Sequence, residues 1–437
     1  MKKILLSVAM VATFGTAFAQ KLTFVPYNVP GKETAVLMGE AVSPNGRYVS
    51  GGDGEKGFIC DMTTGETKFF KSEFLGDDGV NDDAVDAVVS CVGDDGVGYG
   101  YMENCAAKFD FESGKWTKIG SDNSAVKFAN ADQTVLCGHT YEGYYPSAVY
   151  WDADCNLHEL PTPTPEWLGF DASGFSATQV SADGSTIVGY AVDDMATNPL
   201  IVWHRNTDGS YSVDPVCKPY FNGAYDAWQK YDSFNADCIS ANGKWAAINV
   251  HDLNEANDYE DEGMYWARYD LEADTVQFIN CPDHSASLYF YANGISNDGT
   301  IIGYTEDDAR GRIGVICKAG ENTVQYLSDA YPTVKEISEM DINQLNVPCS
   351  ITPDGRYIEG FGYVDSPLEE NQVWYATWLL DTGESTAIDN AVATNTASKV
   401  VASYSIDGKK LNSKSSLKNR VVVNRLANGK AVKNVVK

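Results

Sequence analysis

"GISNDGTIIGY", residues 294–304, restates "QVSADGSTIVGY" at 179–190 and "SITPDGRYIEGFG" at 350–362. Four further copies stand at 41–52 ("AVSPNGRYVSGG"), 90–101 ("SCVGDDGVGYGY"), 128–139 ("FANADQTVLCGH") and 238–249 ("CISANGKWAAIN"), which makes seven. Asn-Gly or Asp-Gly sits at the centre of six, and Asp132-Gln133 takes its place in the copy at 128–139. These pairs tolerate tight hairpin turns, and here they separate a short apolar stretch from an alternating or β-branched one. Each copy therefore reads as a β-hairpin. A second hairpin with its own turn follows, as in "GFICDMTTGETKFF", "AAKFDFESGKWTKI", "LIVWHRNTDGSYSV" and "WYATWLLDTGESTAI". Two hairpins make a four-stranded sheet, which cannot bury both faces alone. The copies recur every 37 to 59 residues, the range of propeller blades with loop insertions. Radial closure of seven sheets removes their exposed edges, so the expectation is an all-β, seven-bladed propeller over residues 20–388, with "KLTFVPYN" (21–28) helping to close the ring.

"SPNGRYVSGG…GFICDMTTGETKFF" resembles the propeller repeats of TolB-type proteins, and "SADGSTIVGY…LIVWHRNTDG" resembles extracellular repeat proteins built on S-x-D-G-x-x-I-V-G-Y. The resemblance covers residues 40 to about 388. It implies a fold and nearly nothing of function, because propellers host binding, catalysis and scaffolding alike.

The two ends carry other signals. "MKKILLSVAMVATFGTAFAQ" places Lys2 and Lys3 before an apolar run and closes on Ala17-Phe18-Ala19, the pattern of a secretory signal peptide (1–19) cleaved after Ala19. No later apolar run reaches the roughly 20 residues of a membrane span. After a linker of small residues (389–399), the segment 400–437 alternates apolar and polar residues around turns at Asp407-Gly408 and Asn428-Gly429. This tail resembles the C-terminal sorting segments of type IX secretion substrates, although Asn419-Arg420 stands where such segments usually carry Gly. The expected address is outside the cytoplasm: secreted, on the cell surface or in the periplasm.

Charge narrows the partners. From Lys399 onward there are ten Lys or Arg against Asp407, and without these and Lys2 and Lys3 the body holds 20 bases against 60 acids. So acidic a body repels phosphates, which excludes nucleic acid as a natural partner and leaves cations, basic groups and neutral ligands. With 43% hydrophobic and 12% aromatic residues the chain can bury a large core. Its ten cysteines contain no C-x-x-C pair, so zinc-ribbon and thioredoxin-like spacings are absent, and buried thiols and disulfides both stay open. The protein is expected to be a monomer.

Catalytic signatures are scarce. H-E-x-x-H, G-x-S-x-G and the phosphate-binding G-x-x-x-x-G-K-[ST] are missing, and the five histidines share no ligand spacing. "WDADCNLHEL" (151–160) offers Asp152, Asp154 and Asn156 at calcium-loop spacing but lacks that loop's central Gly and terminal Glu, so a plain hairpin turn is expected. No cofactor is implied, with calcium open only through carboxylate-rich loops.

Topology offers a better clue. In an up-and-down blade the turns inside both hairpins lie on one face, and the loops between hairpins and between blades lie on the other. The first set is short and uniform; the second is long and uneven, which is where a site can be built. Those loops hold carboxylates, among them Asp193, Asp194, Asp258, Glu260, Asp261, Glu262, Asp307 and Asp308, and aromatics in "TPEWLGF", "KPYFNGAYDAWQKYDSF" and "SLYFYANG". Acids that accept hydroxyl protons, next to rings that stack on sugars, suit a carbohydrate. The ligand candidates are Tyr225, Trp228 and Tyr231 for stacking and Asp258, Asp261 and Asp308 as acidic partners, around the axial mouth. The reading is an exported binding module for a glycan or peptide; the alternative is a propeller glycoside hydrolase or lyase with paired carboxylates.

Overall fold

A computed structural model describes residues 20–25, 37–53, 55–72, 87–141, 143–168, 171–192, 200–214, 234–254, 260–280, 289–307, 311–331, 347–365, 373–383, 400–405, 410–411, 420–426 and 431–436. The chain divides into two compact units, residues 1–389 and 390–437.

The first unit is a seven-bladed β-propeller of four-stranded antiparallel sheets. Blade one is typical: Met38–Val42, Tyr48–Gly52, Gly57–Asp61 and Glu66–Phe70 follow one another in space as in sequence. The first strands of the blades touch one another in order around a central channel, and Val347–Ile351 of blade seven meets Met38–Val42 of blade one to complete the circle. Among the described residues the only helices are single turns, Pro165–Leu168 and Leu327–Ala330.

Blade seven departs from the sequence reading in one respect. Its third strand, Val373–Asp381, pairs not with a following hairpin partner but with Lys21–Phe24, in the register Lys21↔Asp381 to Phe24↔Trp378. The expected closing strand thus supplies the outer edge of the last blade, and the "STAI" half of "WYATWLLDTGESTAI" lies outside the described residues.

The seven-fold phrase has a physical explanation in hydrogen bonds. Ser181 Oγ donates to Asp183 Oδ1 at 2.8 Å and accepts from Thr186 N at 3.0 Å. Ser43, Ser240, Ser296 and Thr352 repeat both bonds in their own blades. In blade three Asn130 substitutes, donating to Asp132 Oδ1 at 2.8 Å and accepting from Val135 N at 2.9 Å. The acid closes the turn as an acceptor; the residue with left-handed backbone is the one after it, Gly184 at φ 70° and, without the glycine advantage, Gln133 at φ 59°.

Burial lies between blades. Each of the seven seams has its own apolar cluster: Ile59, Phe70, Val89 and Phe109 join blades one and two, for example, and Cys238, Trp266, Ala292 and Val315 join five and six. Leu37, Val42, Phe58 and Leu379 do the same at the closing seam between seven and one. Trp151, Trp203, Trp266 and Trp378 recur on third strands and are fully buried, each removing roughly 150–250 Å² from water. A single blade has no such cluster of its own, so the copies hold one another folded. The eight described cysteines are all free.

The second unit is a four-stranded antiparallel sheet in the order Lys410–Leu411, Val400–Ser405, Arg420–Leu426, Ala431–Val436.

Candidate functional site

The uniform turns form one face and tie to one another. Asn45 N donates to Asp94 Oδ1 (2.9 Å), Ala131 N to Ala182 O (3.1 Å), Ala182 N to Ala241 O (2.7 Å), Asn242 N to Asn297 Oδ1 (2.7 Å) and Asn297 N to Pro353 O (2.9 Å). Their polar groups are spent on holding blades in register. The opposite face carries the loops between hairpins.

Of the residues nominated from sequence, Tyr225, Trp228, Tyr231, Asp258 and Asp308 lie outside the described residues. Asp261 is described in its backbone only, and it is not in a loop: it sits on Glu260–Asp270, the third strand of blade five, opposite Leu253. Glu260 and Glu262 share that strand, and Asp307 ends the second strand of blade six. The strands run further toward this face than the acid-rich sequence suggested, because loop and strand composition are alike there.

The channel wall is built by a device invisible in any one strand. The first strand of every blade carries a β-bulge against the second, at Glu40, Ser90, Lys127, Thr178, Ala236–Asp237, Asn293 and Cys349. A bulge inserts one residue and re-aims its side chain. Glu40 is exposed although Gly39 and Ala41 are buried, and Lys127 is exposed next to buried Val126, so both face the channel that the first strands enclose. The enclosure raises the Glu40 carboxyl above the ordinary range, and the Lys127 ammonium of blade three opposes that rise across the channel.

Behind Glu40 lies a fully buried carboxyl. Glu359, on the second strand of blade seven, is 0% exposed, and neither of its oxygens has a hydrogen-bond partner among the described residues. Burial first, then the neighbouring Glu40 charge, pushes it well above the carboxyl range, so it is held neutral. In the other blades the residues opposite the one after the bulge are Ser50, Tyr99, Cys137, Val188, Ala247 and Ile302, none of them a carboxylic acid. Lining up the seven copies by register would have singled out Glu359.

On the loop face, blade three carries three of the exposed large hydrophobic side chains: Tyr141 (40%), Tyr144 (89%) and Tyr145 (37%). Tyr144 and Tyr145 meet edge to face at 5.7 Å, and the Tyr141 ring stands edge-on to His139 at 5.0 Å. Tyr145 packs over Gly174, the first residue of the innermost strand of blade four, where an added Cβ would approach Tyr145 Cβ to 3.0 Å. His139 Nδ1 contacts Ser176 Oγ at 3.1 Å; burial, then Lys127, lowers the imidazole to about 4, so it is neutral at physiological pH. Buried His139 thus stands between the Tyr141 ring and the Lys127 charge on the adjacent strand. Tyr141, Tyr144 and Tyr145 belong to "HTYEGYYPS" (139–147), a shorter aromatic segment than "KPYFNGAYDAWQKYDSF".

Asp152 accepts from Asp154 N (3.0 Å), Asn156 N (2.9 Å) and Asn156 Nδ2, and its other oxygen meets His158 Nε2 at 3.0 Å, so "WDADCNLHEL" is a hairpin turn closed by its own acid. Among the described residues no group of three or more His, Cys, Asp or Glu could hold a metal ion, and no helix is long and apolar enough to cross a membrane.

No protein-family model matches the chain, and no curated protein matches it. Similar solved structures include an oligogalacturonate lyase from Vibrio parahaemolyticus, 13% identical, covering 83% of this chain and 97% of that one at a TM-score of 0.49. TolB from Acinetobacter baumannii is 12% identical, covering 67% of this chain and 65% of that one at 0.36. The extracellular domain of a putative one-component system from B. thetaiotaomicron is 10% identical, covering 95% of this chain but 47% of that one, at 0.47.

Proposed function

We propose that the protein is an exported binding module that takes a glycan or peptide at the axial mouth on its loop face. The observation that carries this reading is the exposed group Tyr141, Tyr144 and Tyr145, with buried His139 set between the Tyr141 ring and the Lys127 charge. Large exposed rings grouped on one loop are uncommon on a solvated surface and serve as stacking platforms. On the opposite face the described turns are tied to one another by hydrogen bonds. Export, by a signal peptide at 1–19 and a sorting tail from 400, belongs to the same reading and rests on sequence pattern. A hydrolase needs two carboxyl groups that both reach the substrate. Glu40 and Glu359 are neighbours, yet Glu359 is sealed from solvent, which favours binding over turnover.

The test is a glycan array and a peptide array probed with the mature protein and with Tyr144→Ala/Tyr145→Ala. Loss of the captured ligand at an unchanged melting temperature supports the reading. Equal capture by both proteins overturns it.

A further inference from the structure

The channel wall at the closing seam holds an arrangement that binding by stacking does not require. Glu40 projects into the channel from a bulge, and Glu359 stands directly behind it, buried and without a hydrogen-bond partner among the described residues. The space for Glu359 is made by Gly39: a Cβ there would lie 1.6 Å from Glu359 Oε1. At the position before the bulge the other six blades carry Val89, Val126, Ala177, Asn235, Ala292 and Pro348, all with a Cβ. The missing Cβ and the added carboxyl therefore occur together, at one seam of seven, and the carboxyl is aimed at the strand that carries Glu40. Across the channel Lys127 projects from the equivalent bulge of blade three, with hydroxyl and amide groups at Ser90, Thr178 and Asn293 on other parts of the wall.

We propose that this wall is a binding site for the charged end of a peptide, with the ligand ammonium at Glu40, the ligand carboxylate at Lys127, and Glu359 as a proton-releasing reserve behind Glu40. The proposal rests on the axial-mouth reading above and names its ligand class. A cation arriving beside Glu40 cancels the smaller of the two effects that keep Glu359 protonated, the Glu40 charge, and its own positive charge works against the larger one, burial. The O–H bond of Glu359 then breaks, the proton passes to solvent by way of neighbouring Glu40, which faces the channel, and the seam carries one more negative charge to match the ammonium. The other groups bearing on Glu359 do not replace this partner: Cys349 on the first strand of blade seven is a buried thiol raised well above its usual range, Arg312 lies toward Cys349, and the Thr377 hydroxyl is committed to Leu37 O at 2.9 Å. The acidic body draws the ammonium of such a ligand and not its carboxylate, which leaves Lys127 to hold the latter. An organic cation fits better than a metal ion, since the described residues provide no cluster of three metal-ligating side chains.

The experiment is isothermal titration calorimetry of the mature chain with trialanine at neutral pH, in phosphate and in Tris, beside N-acetyl-trialanine and trialanine amide. Trialanine is expected to bind; N-acetylation and Glu40→Gln should each weaken binding by about tenfold or more, and amidation or Lys127→Met by a smaller factor. The heat should differ between the two buffers because a proton is released, and Glu359→Gln should remove that difference while leaving the protein folded. Absence of trialanine binding, equal binding of the acetylated peptide, or a Glu40→Gln protein with wild-type affinity overturns the proposal. Tyr144→Ala/Tyr145→Ala is expected to keep trialanine binding, so a failure of the stacking platform and a failure of the channel site give different results.

Discussion

Gly39 and Glu359 share one space: the hydrogen on the Gly39 α-carbon faces the Glu359 carboxyl so closely that a methyl group would stand 1.6 Å from Oε1 and 2.6 Å from the Thr377 methyl. Gly39→Ala should therefore strain the seam that closes the ring and destabilise the protein by about 1–3 kcal/mol, the usual range for overpacking a core. Because the clash is mutual, Gly39→Ala/Glu359→Ala should recover part of the loss, a non-additivity measurable by denaturant unfolding. Strict additivity of the two single changes would mean that the residues do not compete for the same volume.

Glu359 also sets a pH dependence. Its folded carboxyl titrates well above the ordinary range, so the stability it permits is complete at acid pH and is lost as pH rises from the unfolded glutamate range toward the folded value. Glu359→Gln cannot ionise. Its stability relative to wild type should grow between pH 5 and pH 8, and a difference that stays constant across that window would contradict a neutral buried acid.

Asp61 works in the opposite direction. Its side chain is 2% exposed, and it accepts from Arg47 Nη2 at 2.8 Å and from Thr63 Oγ1 at 2.6 Å. Burial alone would raise this carboxyl, but Arg47 and Thr63 override it and hold it down at about 2. The sign is that of a depressed acid: its contribution is present above the unfolded aspartate range and disappears as pH falls toward 2. Asp61→Asn should cost about 1–3 kcal/mol at pH 7 and markedly less at pH 2.5, read from urea midpoints. Arg356 and Asp381 repeat the ion pair in blade seven, at 3.0 Å.

The closing strand gives a truncation test. Removing residues 20–25 takes away Lys21–Phe24 and Val25, and exposes the edge of Val373–Asp381 together with Leu379 and Trp378 behind it. A chain beginning at Pro26 should melt at least several degrees lower and self-associate more than one beginning at Gln20, in calorimetry and light scattering. Equal melting would mean that the ring does not need this strand.

Much of the architecture was legible because each blade repeats one local rule. In five of the seven, Ser or Thr at the turn, Asp or Asn two residues later and Gly after it are contiguous, and so is the strand alternation on either side. The chemistry of the channel was not legible for the opposite reason. Whether Glu40 faces the channel depends on an extra residue counted against a partner strand, and the pairing of Gly39 with Glu359 joins opposite ends of the propeller sequence across a seam. Loop length points to the rings at 225–231, whereas the seating of Tyr145 over Gly174 is a contact with the next blade that no local pattern announces.

The pairing of Lys21–Phe24 with Val373–Asp381 also has a kinetic consequence. During synthesis or passage through an export pore the strand that completes the last blade emerges before any of the seven first strands, and its partner emerges after six blades have been made. Ring closure is the contact of greatest sequence separation in the propeller, so its loop-closure entropy falls due at the end and makes it the slow step. Until then the chain carries an unpaired strand at each end.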